Sequence, residues 1–162
     1  MRVNEIVVKN GFSKFVPLSK NSGSMDGLSP SVMALDELHA IKDRNLYDVV
    51  KGGMYSRAEP LTLIMSTGGY IEQDSIFDSK YQEYLTIIDG YTDGKYTDET
   101  VLPLLYELDD KQELNDERAW TKANPNLGVS KSIEMLRQEV KRAMLNEKTL
   151  RDLLVKQFNI RE

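Results

Sequence analysis

Apolar residues fall along this chain in short runs separated by polar, small-residue breaks, and the period of the pattern changes near residue 115. Residues 3–8 alternate weakly and residues 12–18 form a second short run, which predicts a hairpin entering the small-residue loop 21–30. Four apolar residues in succession, Val32, Met33, Ala34 and Leu35, predict a strand buried on both faces, as in a parallel sheet; it ends at Asp36 and Glu37. Leu46, Val49, Val50 and Met54 recur at helical spacing and predict a helix over residues 44–55, with Gly52 and Gly53 blurring its far end. After Pro60 a second apolar run, Leu61–Met65, ends in Ser66, Thr67, Gly68 and Gly69. Two strands joined through a helix make a βαβ unit.

Ile76, Phe77, Tyr81, Tyr84, Leu85 and Ile88 predict a helix over residues 75–88, followed by a turn from Asp89 to Lys95. Residues 101–108 read as one more strand. Beyond them Asn115 is placed to cap a short helix through Trp120, residues 124–128 form a rigid connector, and Ser130 is placed to cap a long helical tail. The tail carries one stripe of Ile133, Leu136, Val140 and Met144, and another of Leu150, Leu153, Leu154 and Phe158. The expected class is α/β, with a mainly parallel sheet over residues 1–114 and a helical appendage over residues 115–162.

Composition narrows the chemistry. With 0 Cys and 1 His in 162 residues there is no disulfide framework, no thiolate metal site and no histidine cluster, so any metal must be held by carboxylates. A mean hydropathy of −0.46 and the lack of any apolar run near ~20 residues predict a soluble chain with no membrane partner, placed by default in a cytoplasm. The net charge of −5 is unevenly spread: residues 1–57 carry +2, residues 58–120 carry −11 and residues 121–162 carry +4. An acidic middle repels a phosphate backbone, so any nucleic-acid contact falls to the two ends.

The strongest local signal is the strand end at Asp36 and Glu37, because ligands of open α/β sheets bind beyond the carboxyl ends of the strands. Adjacent acids there suit a nucleoside-triphosphate site, with Asp36 associated with Mg²⁺ and Glu37 orienting and deprotonating the attacking water. The alternative is two acids complementing a helix N-terminus. Ser66, Thr67 and Gly68 at the end of the neighbouring strand would sense a γ-phosphate, or form an ordinary turn. His39 would lie near the same rim, as a participant or as a satisfied bystander. The phosphate-binding pattern G-x-x-x-x-G-K-[ST] does not occur. Residues 90–96 come nearest, but they are one residue short, acidic, and follow a helix; a calcium loop counted from Asp89 fails at the third position, Tyr91, and at the twelfth, Thr100. The basic residues of the tail could touch DNA, although interspersed acids favour a solvated helix face, and Trp120 suits a packing anchor better than a base-stacking platform.

Taken together, residues 29–40, 61–70 and 120–130 (W-T-K-A-N-P-N-L-G-V-S) resemble the large terminase subunit of tailed bacteriophages, and the last segment is the most specific. The resemblance implies a partial P-loop-type, RecA-like ATPase core, the second half of the ATPase domain, followed by a helical linker or lid. It matches Asp36 to the Mg²⁺-associated acid of Walker B, Glu37 to its catalytic glutamate, and Ser66, Thr67 and Gly68 to the coupling motif. It further implies, for an intact parent protein, Mg²⁺ and ATP as cofactors, double-stranded viral DNA, the portal and the small terminase subunit as partners, and the host bacterial cytoplasm as location.

The Walker A segment and the acidic nuclease cluster of such proteins have no counterpart in these 162 residues. The expectation is therefore an internal piece of a packaging motor, from a truncated prophage gene or a deliberate cut, with negligible turnover alone and a tendency to self-associate through uncovered sheet. The alternatives are a DExH-type helicase fragment, on Asp36-Glu-Leu-His39 with Ser66-Thr-Gly68, and a nonenzymatic module that binds protein through its acidic segment and helical tail.

Overall fold

The computed structural model describes residues 5–9, 11–18, 25, 27–42, 44–72 and 75–162. The start of the first predicted strand, residues 21–24 of the small-residue loop, and Asp26 lie outside them. The chain divides into two compact units, residues 1–33 with 43–62, and residues 34–42 with 63–162.

In the first unit, strands β1 (Ile6–Val7) and β2 (Lys14–Phe15) pair antiparallel with Ile6 opposite Phe15, so the hairpin is where the pattern puts it. Its apolar side chains are exposed. Helix α1 (Arg44–Gly53) follows, ending in a 3₁₀ turn at Met54–Ser56, and it buries Tyr47 and Val50. Leu61 N–H donates to Ser31 O at 2.9 Å, drawing together the starts of strands β3 (Val32–Asp36) and β4 (Leu61–Met65). These two strands form a parallel pair with α1 as the crossover, the βαβ unit expected.

Burial of β3 on both faces is not observed. Met33 alone is buried, and Val32 remains 54% exposed, because β4 is the only strand paired with β3 among the described residues. A parallel strand becomes apolar on both sides only where layers cover both sides.

In the second unit, helix α2 runs over Ile76–Asp93, started by Ser75, whose hydroxyl accepts Asp78 N–H at 3.0 Å. It continues five residues past the predicted end at Ile88, through the stretch read as a turn, and stops at Gly94 with φ 73°. Gly90 does not break the helix; a Cβ there would stand 1.4 Å from Tyr96 O, so glycine serves the close approach of the following loop.

Residues 101–108 alternate in exposure, but among the described residues they pair with no strand. Leu108 N–H donates instead to Phe158 O at 3.2 Å. Asn115 ends the 3₁₀ turn Lys111–Asn115, whose cap is Asp110, and so caps no helix. Helix α3 (Trp120–Ala123) follows. The predicted single tail is two helices, α4 (Ile133–Ala143), capped by Ser132 and not Ser130, and α5 (Glu147–Phe158), capped by Asn146. Ser132 and Asn146 accept N–H groups three residues on, the side-chain geometry that begins a helix.

The two stripes meet in one core of Leu108, Leu114, Trp120, Leu136, Val140, Leu153, Leu154 and Phe158 with Ala123 and Ala143. Trp120 stands 5.7 Å from the Phe158 ring and donates its indole N–H to Leu114 O at 3.0 Å, as a packing anchor does. Complete burial of Phe158 is worth roughly 1.5–3 kcal/mol.

Candidate functional site

Asp36 ends β3, and the chain turns at once. Glu37 adopts a left-handed backbone, φ 52° and ψ 52°, with its N–H held by Asp36 Oδ1 at 3.0 Å. For a residue with a side chain this conformation costs about 1–2 kcal/mol, and such positions cluster where function sets the geometry. The turn carries Glu37 into the 3₁₀ segment Leu38–Ala40, which places His39 back beside it. Glu37 Oε2 lies 3.2 Å from His39 Nδ1.

The end of β4 meets the same histidine. His39 N–H donates to Ser66 Oγ at 3.1 Å, and His39 Nδ1 lies 3.0 Å from that hydroxyl and 3.4 Å from Thr67 Oγ1. Ser66 Oγ donates to Thr67 O at 3.0 Å. With its own hydrogen used there, Ser66 accepts from His39, and a proton on Nδ1 satisfies both Ser66 and the Glu37 carboxylate. Gly69, at φ 62°, lies so close that a Cβ would stand 2.7 Å from His39 Cβ. The structure therefore joins Glu37, His39, Ser66 and Thr67 in one hydrogen-bonded group at the strand ends.

Gly68 faces the other way. Its N–H donates to Asn159 Oδ1 at 3.0 Å, and its carbonyl accepts Arg161 Nε at 3.3 Å. Ile71 N–H donates to Glu162 O at 2.8 Å. Arg161 pairs with Asp78 and lies 4.9 Å and 5.1 Å from the Phe77 and Tyr81 ring centroids. An open cavity of about 700 Å³ flanks this contact, lined by Ile71, Tyr81, Glu107, Lys111, Asn159 and Arg161 among others. Burial raises the Glu107 carboxyl above the ordinary carboxylate range despite a 2.7 Å hydrogen bond from Tyr81, and raises the Tyr81 hydroxyl as well.

All five predicted positions, Asp36, Glu37, Ser66, Thr67 and Gly68, thus lie within one short stretch of contacts, with His39 as the link between the two strand ends. Asn159 is not among the predicted positions, although an Asn just past the last periodic residue, Phe158, is itself a helix-end signal; Arg161 has no such local signal. Among the described residues no group of three or more acids or histidines is arranged to hold a metal on its own.

Asp93 is held below the usual range by the Lys95 ammonium at 2.9 Å and then by the Lys95 N–H, and Asp98 by the Thr100 hydroxyl and then its N–H, so these carboxylates serve their own turns. Several basic residues of the tail are occupied too: Arg137 grips Glu117 through two bonds of 2.5 and 2.7 Å, and Arg161 grips Asp78. Among the described residues no helix is long and apolar enough to cross a membrane.

Comparison with known proteins bears on this geometry. Residues 1–86 match the family model "Terminase large subunit, ATPase domain", and residues 95–162 match "Terminase large subunit, endonuclease domain". Protein YmfN of Escherichia coli (strain K12) is 30% identical over 135 residues, covering 83% of this chain and 29% of that protein. The crystal structure of the HK97 bacteriophage large terminase superposes with a TM-score of 0.71 at 21% identity, over 91% of this chain and 29% of that one. The chain spans less than a third of the length of either protein.

Proposed function

The chain belongs to the terminase large subunit family, and from that premise we propose that it carries the Walker B and coupling side of an ATPase that drives viral DNA into a procapsid. The observation that supports this most is the hydrogen-bonded connection from Glu37 through His39 to Ser66 and Thr67. It joins the position matched to the catalytic glutamate to the one matched to the coupling motif. Within the chain we assign residues 1–114 to the ATPase core and residues 115–162 to a helical linker or lid; the ATPase-domain match covers residues 1–86 of that core, and the endonuclease-domain match, residues 95–162, covers its last twenty residues and the whole appendage.

Mg²⁺ sites in nucleotide enzymes commonly use one or two carboxylates, with phosphate oxygens and water completing the shell. Asp36 at a strand end fits that requirement, and the lack of a denser acidic cluster does not count against it. Bound ATP would supply the phosphoanhydride, and Mg²⁺ the positive charge that offsets negative charge developing on the phosphate oxygens. The residues of this chain would do the rest. Asp36 would hold the metal side, and Glu37 would orient and deprotonate water. His39 would keep the Glu37 carboxylate and the Ser66 hydroxyl in fixed register. DNA, the portal and the small subunit are the partners proposed for the intact protein, with the host cytoplasm as location.

The pattern G-x-x-x-x-G-K-[ST], whose amides and lysine hold the β- and γ-phosphates, does not occur in these 162 residues. Calorimetry should therefore show neither tight Mg²⁺–ATP binding nor turnover, in the wild type or in Asp36→Ala. Joined to the phosphate-loop segment of a terminase large subunit, the chain should gain Mg²⁺-dependent hydrolysis that falls at least about 10²-fold in Glu37→Gln. Hydrolysis that ignores Glu37→Gln would remove the assignment.

A further inference from the structure

The segment most specific to the family, W-T-K-A-N-P-N-L-G, takes no part in the strand-end chemistry, yet it is wired to it. A helix leaves its last carbonyls without intrahelical partners, and whatever satisfies them fixes where the helix ends. In α5 the carbonyl of Gln157 accepts Asn124 Nδ2 at 2.9 Å and that of Phe158 accepts Leu108 N–H at 3.2 Å. Asn124 is buried, its Nδ2 also reaches Trp120 O at 3.3 Å, and its Oδ1 accepts Lys131 Nζ. The helix end is thus held by the Asn124 side chain of that segment together with the Leu108 amide.

The clamp sets Asn159, the next residue, in a left-handed conformation at φ 54°. Its side chain is used twice: Oδ1 accepts Gly68 N–H, and Nδ2 donates to Tyr106 O at 2.8 Å. Arg161 and Glu162 bind Gly68 O and Ile71 N–H. Contact at Gly68 is so close that a Cβ would stand 2.6 Å from Asn159 O. Among the described residues, Glu37 and Asn159 are the two non-glycine positions with positive φ, and the Ser66–Gly69 segment lies between them, bonded to His39 on one side and Asn159 on the other.

We propose that the turn after α5, residues 159–162, is the seat that positions the coupling segment, with Asn159 the positioning residue for Gly68 and Asn124 acting through the end of α5. The coupling role of Ser66–Gly68 rests on the function proposed above; the seat itself rests on these contacts. Its consequence is that the Trp120–Gly128 segment governs the register of Ser66 against His39 and Glu37 without touching any of them.

The test uses the full chain and amide hydrogen exchange with ¹H–¹⁵N spectra. Asn159→Gly keeps the left-handed backbone and removes the side chain. Exchange at Gly68 should quicken roughly five-fold relative to the core amide of Leu136, the factor one ordinary hydrogen bond supplies, and the Ser66 amide and His39 ring signals should shift. Asn159→Asp keeps an acceptor for Gly68 and should restore its protection, although its bond to Tyr106 O is gone. Asn124→Asp keeps the acceptor for Lys131, loses the donor to Gln157 O, and should repeat the Gly68 loss.

The seat is overturned if Gly68 in Asn159→Gly changes no more than Leu136, if Asn159→Asp fails to restore it, or if Gly68 responds while His39 and Ser66 do not. None of these readouts involves nucleotide. Failure of the ATPase assignment, seen as hydrolysis indifferent to Glu37→Gln, therefore leaves them untouched.

Discussion

Replacing Gly68 by alanine sets two familiar effects against each other, and the structure decides between them. At a position with an ordinary backbone, Gly→Ala stabilises by about 0.4–1 kcal/mol through the entropy of the unfolded chain, and Gly68 is not among the glycines with positive φ. Against that, the new Cβ would stand 2.6, 3.0 and 3.1 Å from the O, C and Cα of Asn159. All three are backbone atoms at the clamped end of α5, so no side chain can swing aside. Ordinary contact begins near 3.4 Å, which requires the two backbones to part by about 0.8 Å. A 3.0 Å bond from Gly68 N–H and a 3.3 Å bond to its carbonyl do not survive that separation. Two bonds at about 0.5–1.5 kcal/mol each give a loss of about 1–3 kcal/mol; set against the gain of about 0.4–1 kcal/mol, this leaves a net loss of roughly 1 kcal/mol at the middle of both ranges and at most about 2.6 kcal/mol. Urea unfolding followed by emission of the single tryptophan, Trp120, which is 2% exposed, measures it directly. A Gly68→Ala protein as stable as wild type or more so, with Gly68-region exchange unchanged, would refute the packing of this loop on the α5 end.

Two further outcomes follow from groups at the same site. Glu37→Gly should be more stable than Glu37→Ala by about 1 kcal/mol in urea, because glycine relieves the left-handed backbone and alanine does not; equal stabilities would show that Glu37 is not strained. At Glu107, burial raises the carboxyl above its ordinary value of 4.5, so the folded state holds the proton more tightly than the unfolded one. That contribution is fully present below pH 4.5 and is lost as pH rises through the raised value. Glu107→Gln keeps an acceptor for Tyr81 and should melt higher than wild type at pH 7, with the gap closing at pH 4; a gap independent of pH would contradict this sign.

What the sequence makes legible is local. Runs of apolar residues ended by Asp36-Glu37 and by Ser66-Thr67-Gly68 place both strand ends, and Ser75 starts α2, because each signal is contained within a few residues. Errors arise where a local signal has a distant cause. Gly90 looks like a breaker and is a contact surface for Tyr96 O. Residues 101–108 alternate like a strand and do alternate in exposure, but a strand requires a partner, and the described residues supply a helix end at Phe158 O instead. Gly68 and Asn159 are 91 positions apart, and no pattern along the chain announces their contact.

Charge shows the same distinction between a local signal and its distant partner. The −11 of residues 58–120 and the +4 of residues 121–162 suggest an acidic segment in search of a partner and a basic tail facing DNA. In the second unit some of them are each other's partners: Asp78 with Arg161, Asp109 and Glu113 with Lys122, and Glu117 with Arg137. Ion pairs with exposed side chains contribute little to stability, about 0–1 kcal/mol, and most of these are of that kind. Arg161 with Asp78 is different, since their side chains are only 11% and 23% exposed and the guanidinium also covers Phe77 and Tyr81. An arginine held this way cannot leave for a phosphate backbone without abandoning a partly buried carboxylate, which is costly. The residue that ties the tail to the coupling segment is thus withdrawn from nucleic acid, and its chemistry is directed inward, to Gly68.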